Sequence, residues 1–138
     1  MNNLSVDDLH LIRFEKFADE RGGLVALTSN RNIPFQIARV FYTFQTLGET
    51  VRGSHAHKTC QQILICISGS LVVEVDDGID KREFLLAEPN IGLLVPALIW
   101  SSQKKYSPEA VCLVLASEIY DPLEYIHEYA EYLQYRRT

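Results

Sequence analysis

Gln62-Ile63-Leu64-Ile65-Cys66-Ile67-Ser68-Gly69-Ser70-Leu71-Val72-Val73-Glu74-Val75-Asp76-Asp77-Gly78 is the stretch whose reading decides the fold. Its continuous apolar run, Ile63 to Ile67, reads as a strand buried on both faces. Ser68-Gly69-Ser70 turns the chain, and Leu71 to Val75 returns as a second strand. Asp76-Asp77-Gly78 then supplies a hairpin-type turn, because Asp-Gly tolerates positive φ.

Working outward, the same grammar recurs. Gly22-Gly23 precedes Leu24-Val25-Ala26-Leu27, and Asn32-Ile33-Pro34 leads into a strand from Ile37 to Phe44 whose core, Arg39-Val40-Phe41-Tyr42-Thr43-Phe44, is β-branched and aromatic. Gly48 closes it. Further strands are predicted at Glu83–Ala87, Gly92–Val95, Ile99–Gln103 and Val111–Ala116. Many short antiparallel strands in one small chain predict an all-β sandwich, jelly roll or barrel. At the C-terminus the pattern changes. Asp121-Pro122-Leu123-Glu124 has an N-cap acid, proline at the first helical position and a carboxylate three residues after the cap, predicting a helix start. Tyr125, Tyr129, Tyr132 and Leu133 would share one face of that helix, packed on the sheet or on a partner subunit.

The 138 residues suit one domain spanning the whole chain, 1–138, and 47% hydrophobic with 22% charged residues is ordinary globular composition. A formal charge of −5 disfavours non-specific binding to nucleic acid or to an anionic membrane surface. No apolar run approaches the ~20 residues of a membrane span. The acidic start, Met1-Asn2-Asn3-Leu4-Ser5-Val6-Asp7-Asp8, has no apolar core of a signal peptide. Cys60, Cys66 and Cys112 are odd in number and lack metal-ligand spacing, and Cys66 and Cys112 sit in apolar runs as small hydrophobes. A reducing cytoplasm is the expected compartment.

The functional signal is Arg52-Gly53-Ser54-His55-Ala56-His57. On a strand, His55 and His57 project to the same side. Such a pair is half of a metal site or an acid/base pair facing a pocket. The cupin metal pattern places a glutamate and then a glycine after HxH, and later a P-x-G-x-x-H segment. This chain keeps the spacing, with Gln62 at the glutamate position, Gly69 after it, and Pro96-Ala97-Leu98-Ile99-Trp100-Ser101 as the later segment. Two of four ligands are therefore replaced, by the amide Gln62 and the hydroxyl Ser101. Two imidazoles alone hold zinc or iron poorly, so no metal is expected. Free imidazole, with an ordinary pKa near ~6.5, exchanges protons near neutral pH unaided. His10 and His127, near the chain ends, show no motif spacing.

With these motifs in hand, the chain resembles the metal-independent cupins that act as dTDP-4-keto-6-deoxyhexose 3,4-ketoisomerases of deoxysugar biosynthesis, the WxcM-like or FdtA-like proteins. The resemblance runs from about Ile12 to Leu133. It is carried by Asp19-Glu20-Arg21-Gly22-Gly23-Leu24, Asn32-Ile33-Pro34-Phe35, Arg39-Val40-Phe41-Tyr42 and Arg52-Gly53-Ser54-His55-Ala56-His57-Lys58. Gln62-Ile63-Leu64-Ile65-Cys66, Val75-Asp76-Asp77-Gly78, Gly92-Leu93, Leu115-Ala116-Ser117 and Tyr125-Ile126 extend it. HxH alone is weak; together with the other segments it is specific.

The resemblance implies a jelly-roll homodimer without metal or organic cofactor that moves a ketone from C4 to C3 of a dTDP-linked 4-keto-6-deoxy sugar through an enediol. It implies His55 as the main proton carrier, His57 as its neighbour and Tyr42 as a hydroxyl donor or relay. Arg52 and Arg39 become candidates for the diphosphate, whose oxygens match guanidinium forks. Gln62 becomes a candidate for the sugar, and Ser101 for the substrate pocket. The chain departs from the family in two places. Ser101 follows Trp100 where a histidine is common, and Glu124-Tyr125-Ile126-His127 stands where aspartate usually precedes the tyrosine and arginine follows the isoleucine. Two alternatives remain open on the sequence: a nucleotide-sugar binding module without turnover, and a metal-dependent cupin with unusual ligands.

Overall fold

A computed structural model describes residues 4–137; Met1, Asn2 and Asn3 of the acidic start lie outside the described residues. The strands are β1 (Leu11–Arg13), β2 (Phe17–Asp19), β3 (Gly22–Leu24), β4 (Arg39–Phe44), β5 (Arg52–His57) and β6 (Gln62–Ser68). They continue with β7 (Leu71–Asp76), β8 (Lys81–Leu86), β9 (Ile91–Val95), β10 (Trp100–Lys104), β11 (Val111–Ala116) and β12 (Tyr125–Ile126), before helix α1 (Tyr129–Arg137). One five-stranded sheet has the order β1-β9-β6-β11-β4 and the other β12-β5-β10-β7-β8, with β2-β3 as a separate hairpin. The ladders β6–β11, β6–β9, β7–β10 and β5–β10 are all antiparallel. This is the expected all-β, cupin-like sandwich with a C-terminal helix.

The main core lies between the sheets. Leu64, Cys66, Leu93, Cys112 and Val114 from the first sheet meet Leu71, Val73, Val75, Phe84 and Leu86 from the second. The alternate residues of the first sheet, Ile63, Ile65 and Leu115, are buried on its outer face beneath Phe14, Ile33 and Phe35. That cover explains why β6 reads as an unbroken apolar run. On the outer face of the second sheet, α1 buries Tyr132 against Ala56 and Ile126, with Trp100 alongside. Trp100 packs edge-on to Tyr129, with ring centroids 5.2 Å apart.

The predicted helix start is corrected. Pro122–Glu124 is a single 3-10 turn capped by Asp121, whose carboxylate accepts from the Leu123 amide at 3.0 Å. The chain then straightens into β12, where Tyr125 pairs with His57 and Ile126 with Ala56. Helix α1 begins at Tyr129. Local capping signals were correct for one turn, but an open ladder edge on β5 captured the next two residues before a helix could continue. Tyr125 therefore leaves the predicted helical stripe, whereas Tyr129 and Tyr132 keep it.

Candidate active site

The two histidines owe their aim to a kink in β5. Gly53 has φ +83° and Ser54 φ +53°, and the β5–β10 register shifts there, with Ser101 opposite His55 but Ser102 opposite Gly53. Ser54 is thus the extra residue of a β-bulge, a device that redirects a side chain. A Cβ on Gly53 would stand 3.1 Å from the Gln103 side-chain amide, so both φ and space demand glycine. The curl turns the Gly53 carbonyl toward its own strand, where it receives His55 Nδ1 at 3.1 Å. A carbonyl only accepts, so the Nδ1 of His55 carries the proton and its Nε2 keeps a lone pair. Burial first, then the neighbouring His57 imidazole, lower His55 from its ordinary 6.5 to about 4. His55 is consequently neutral at neutral pH, with its proton held on Nδ1.

His57, buried, is held differently. Its Nδ1 lies 2.6 Å from Oε1 of Glu124, which is also buried. The other carboxylate oxygen accepts the backbone N–H groups of Thr59 at 3.0 Å and Cys60 at 2.8 Å. Burial alone would raise the Glu124 carboxyl. The hydrogen bonds from His57, Cys60 and Thr59 outweigh it and hold the group below its ordinary 4.5. The ionised carboxylate again fixes the proton on Nδ1, and the Nε2 of His57 has no protein partner among the described residues. Two imidazoles with free Nε2 atoms thus stand with ring centroids 5.0 Å apart.

His55 opens on a pocket between the sheets, lined by Phe41, Arg52, Gln62, Gln103 and Tyr125 among others. Gln62 is buried on β6, and Ser101, also buried, faces His55 across the β5–β10 ladder. The residue at the expected third-ligand position is therefore the ladder neighbour of His55. Arg39 borders the site: its Nη2 donates to the Tyr125 hydroxyl at 3.2 Å, and its guanidinium covers Phe41 and Tyr120. Tyr42 does not join them. It is 61% exposed on the opposite side of β4 from Phe41 and Thr43, which line the pocket. Period-two alternation turns its hydroxyl outward.

Three residues not predicted as site residues join the histidines: Glu124, Tyr125 and His127. The Tyr125 ring lies 4.4 Å from that of His57 and 5.0 Å from that of His55, and His127 lies 5.9 Å from His55. Their shared signal is one short segment, Glu124-Tyr125-Ile126-His127, which the resemblance singles out and the capping signals place in a helix. His57, Cys60 and Glu124 also bring one potential metal-ligand atom each within 4.8 Å of the others. Glu124 already accepts three N–H donors, and the Cys60 thiol points at the Gln61 carbonyl at 3.4 Å. The Nδ1 of His57 and both Glu124 oxygens are thus taken by partners within the chain.

Comparison with known proteins places relatives around this geometry. The sequence pattern of the family described as "FdtA: WxcM-like, C-terminal" matches residues 7–137. A TDP-4-oxo-6-deoxy-α-D-glucose-3,4-oxoisomerase of Aneurinibacillus thermoaerophilus is 45% identical over 125 residues, 91% of this chain and 90% of the relative. The crystal structure of a 3,4-ketoisomerase from Helicobacter canadensis superposes with a TM-score of 0.92 at 37% identity, covering 95% of this chain and 98% of that one. A histidine-to-asparagine mutant of the Thermoanaerobacterium thermosaccharolyticum 3,4-ketoisomerase QdtA, in complex with TDP-4-keto-6-deoxyglucose, gives 0.93 at 32% identity, covering 96% of both chains.

Proposed function

Because this chain belongs to the FdtA family of WxcM-like proteins, we propose that it is a sugar-nucleotide 3,4-ketoisomerase acting on a dTDP-linked 4-keto-6-deoxy sugar. The observation that carries the mechanism is the pair of tautomer-locked imidazoles, His55 on Gly53 O and His57 on Glu124. In this reading, Nε2 of His55 removes the proton from C3, and the C3–H electron pair becomes the C3=C4 bond of an enediolate. The same nitrogen returns the proton to C4. His57, fixed by Glu124, orients the sugar or carries a second proton. General acid/base work of this kind is worth about 10²–10⁴-fold.

Tyr125 takes the part first expected of Tyr42. Its ring lines the pocket, and Arg39 donates to its oxygen, so its own O–H is available to a developing oxyanion. Arg52 at the pocket and Arg39 beside it are assigned to the diphosphate, Gln62 to the sugar hydroxyls, and Ser101 to the wall facing His55. A homodimer in the cytoplasm completes the proposal. The three free, buried thiols suit a reducing compartment, and Val40, Tyr42 and Phe44 leave an exposed apolar stripe on β4.

The test is incubation with TDP-4-keto-6-deoxyglucose in D₂O. Wild-type protein should form the 3-keto isomer with deuterium at C4, and His55→Asn should lose at least ~10²-fold in kcat while keeping the fold. Unchanged ring protons with wild-type protein would leave a nucleotide-sugar binding module instead.

A further inference from the structure

Of the four histidines, His127 lies far from the His55-Ala56-His57 pair in sequence, yet the fold carries it to His55. In the β12–β5 ladder, Tyr125 pairs with His57 and Ile126 with Ala56. Continuing that antiparallel register by one residue sets His127 beside His55. The two rings stand edge to face at 5.9 Å. His127 also lies parallel on the Tyr125 ring, 8° between planes and 5.5 Å between centroids, so a pocket-lining ring holds its orientation. It is exposed and therefore open to a substrate arriving over the lip.

The opposite flank of His55 offers Ser101, a hydroxyl that cannot exchange protons near neutral pH. The other charged groups around the site are placed differently: His57 is bonded to Glu124 through Nδ1 and its Nε2 is buried, Glu124 accepts from His57 and two backbone amides, and Arg39 donates to Tyr125. Arg52 and Tyr125 line the pocket itself. A 3,4-ketoisomerisation needs two proton movements, one between carbons and one between oxygens. A single imidazole cannot face both.

We infer that His127 is a second acid–base residue of this site, moving the proton between the sugar oxygens while His55 moves the one between the carbons. This rests on the ketoisomerase reading. His55 takes the C3 proton; the C3–H pair forms C3=C4, and the C4=O π pair goes to O4, which receives a proton from the His127 imidazolium. The O3–H proton then returns to His127, the O3 pair forms C3=O, and the C3=C4 pair accepts the proton of His55 at C4. Atoms and charge close without any further reactant.

The experiment compares wild type, His127→Ala and His127→Gln with TDP-4-keto-6-deoxyglucose across pH. The expected result is a loss of about 10²-fold in kcat for both variants, with little change in KM. One limb of the pH profile should vanish, and added imidazole should partly restore His127→Ala. A variant as fast as wild type at every pH overturns the inference and leaves the ketoisomerase reading intact. So does a pure KM defect that imidazole does not rescue. A wild-type protein that never turns over defeats the ketoisomerase reading, and this role for His127 with it.

Discussion

At the residue scale, the site works because each imidazole meets an acceptor that cannot donate. Gly53 O and the Glu124 carboxylate hold a proton on Nδ1 in both rings, and on the proposed mechanism the Nε2 of His55 is the base. Since His55 is lowered to about 4, its neutral form persists well below pH 6. The acid limb of kcat/KM attributable to His55 should therefore fall near pH 4, and a pH–rate profile checks this. The same shift bears on stability. The folded state binds the His55 proton less readily than the unfolded chain, so stability declines as pH falls from about 6.5 to 4. His55→Asn should flatten that part of a denaturation-versus-pH curve. Glu124 acts with the same sign, because its folded pKa lies below 4.5 and its contribution is lost on acidification. Glu124→Gln exchanges one acceptor oxygen for an amide donor facing N–H groups. The expected cost is about 2–3 kcal/mol of stability by urea denaturation. Activity should also fall, because an amide donating to Nδ1 would push the His57 proton onto Nε2.

At the element scale, β5 gathers the site and α1 braces it from behind. Tyr132 is fully buried, and its hydroxyl lies 2.9 Å from both the Asp76 and the Leu98 carbonyls. It joins the β7 end to the loop before β10, and Arg136 reaches Leu98 O as well at 3.2 Å. Burial pushes the Tyr132 phenol up, so it remains a donor at any working pH. Tyr132→Phe keeps the ring and removes the buried hydroxyl that bonds the Asp76 and Leu98 carbonyls, which should cost about 1–3 kcal/mol. Differential scanning calorimetry would register it as a lowered Tm with the β signature unchanged. The misassigned segment belongs to this scale too. Asp121 and Pro122 signal a helical start, and a 3-10 turn does form there. Whether a turn becomes helix or strand is decided by what it meets next, and here it meets the free edge of β5.

At the scale of the whole molecule, the two sheets enclose a core at one end and a pocket at the other, and Tyr42 shows how they divide labour. Its strand contributes Phe41 and Thr43 to the pocket and turns Val40, Tyr42 and Phe44 outward at 54%, 61% and 56% exposure. On the proposed homodimer, that stripe is where a second copy would bury apolar surface. Sedimentation equilibrium should give a dimer for wild type, and replacing Tyr42 and Phe44 by aspartate should shift the equilibrium toward monomer. A wild-type monomer at micromolar concentration would sink this assignment. The buried thiols are bystanders: burial pushes Cys112 up to about 12 and raises Cys66 as well, so neither presents a thiolate.

Periodicity and turn chemistry by themselves determined the all-β architecture, most strand positions and the HxH pair, because those signals are local. Alternation tells which side chains share a face, and Asp-Gly or Gly-Gly tells where the chain reverses. Only the tertiary structure decided which residues complete the site. Glu124 reaches His57 across 67 positions of sequence, Ser101 meets His55 through ladder register, and His127 arrives through a two-residue strand too short to leave a period. Tyr42 was lost from the site for the same reason. Alternation says that Phe41 and Tyr42 face opposite ways, but only the second sheet says which way is in.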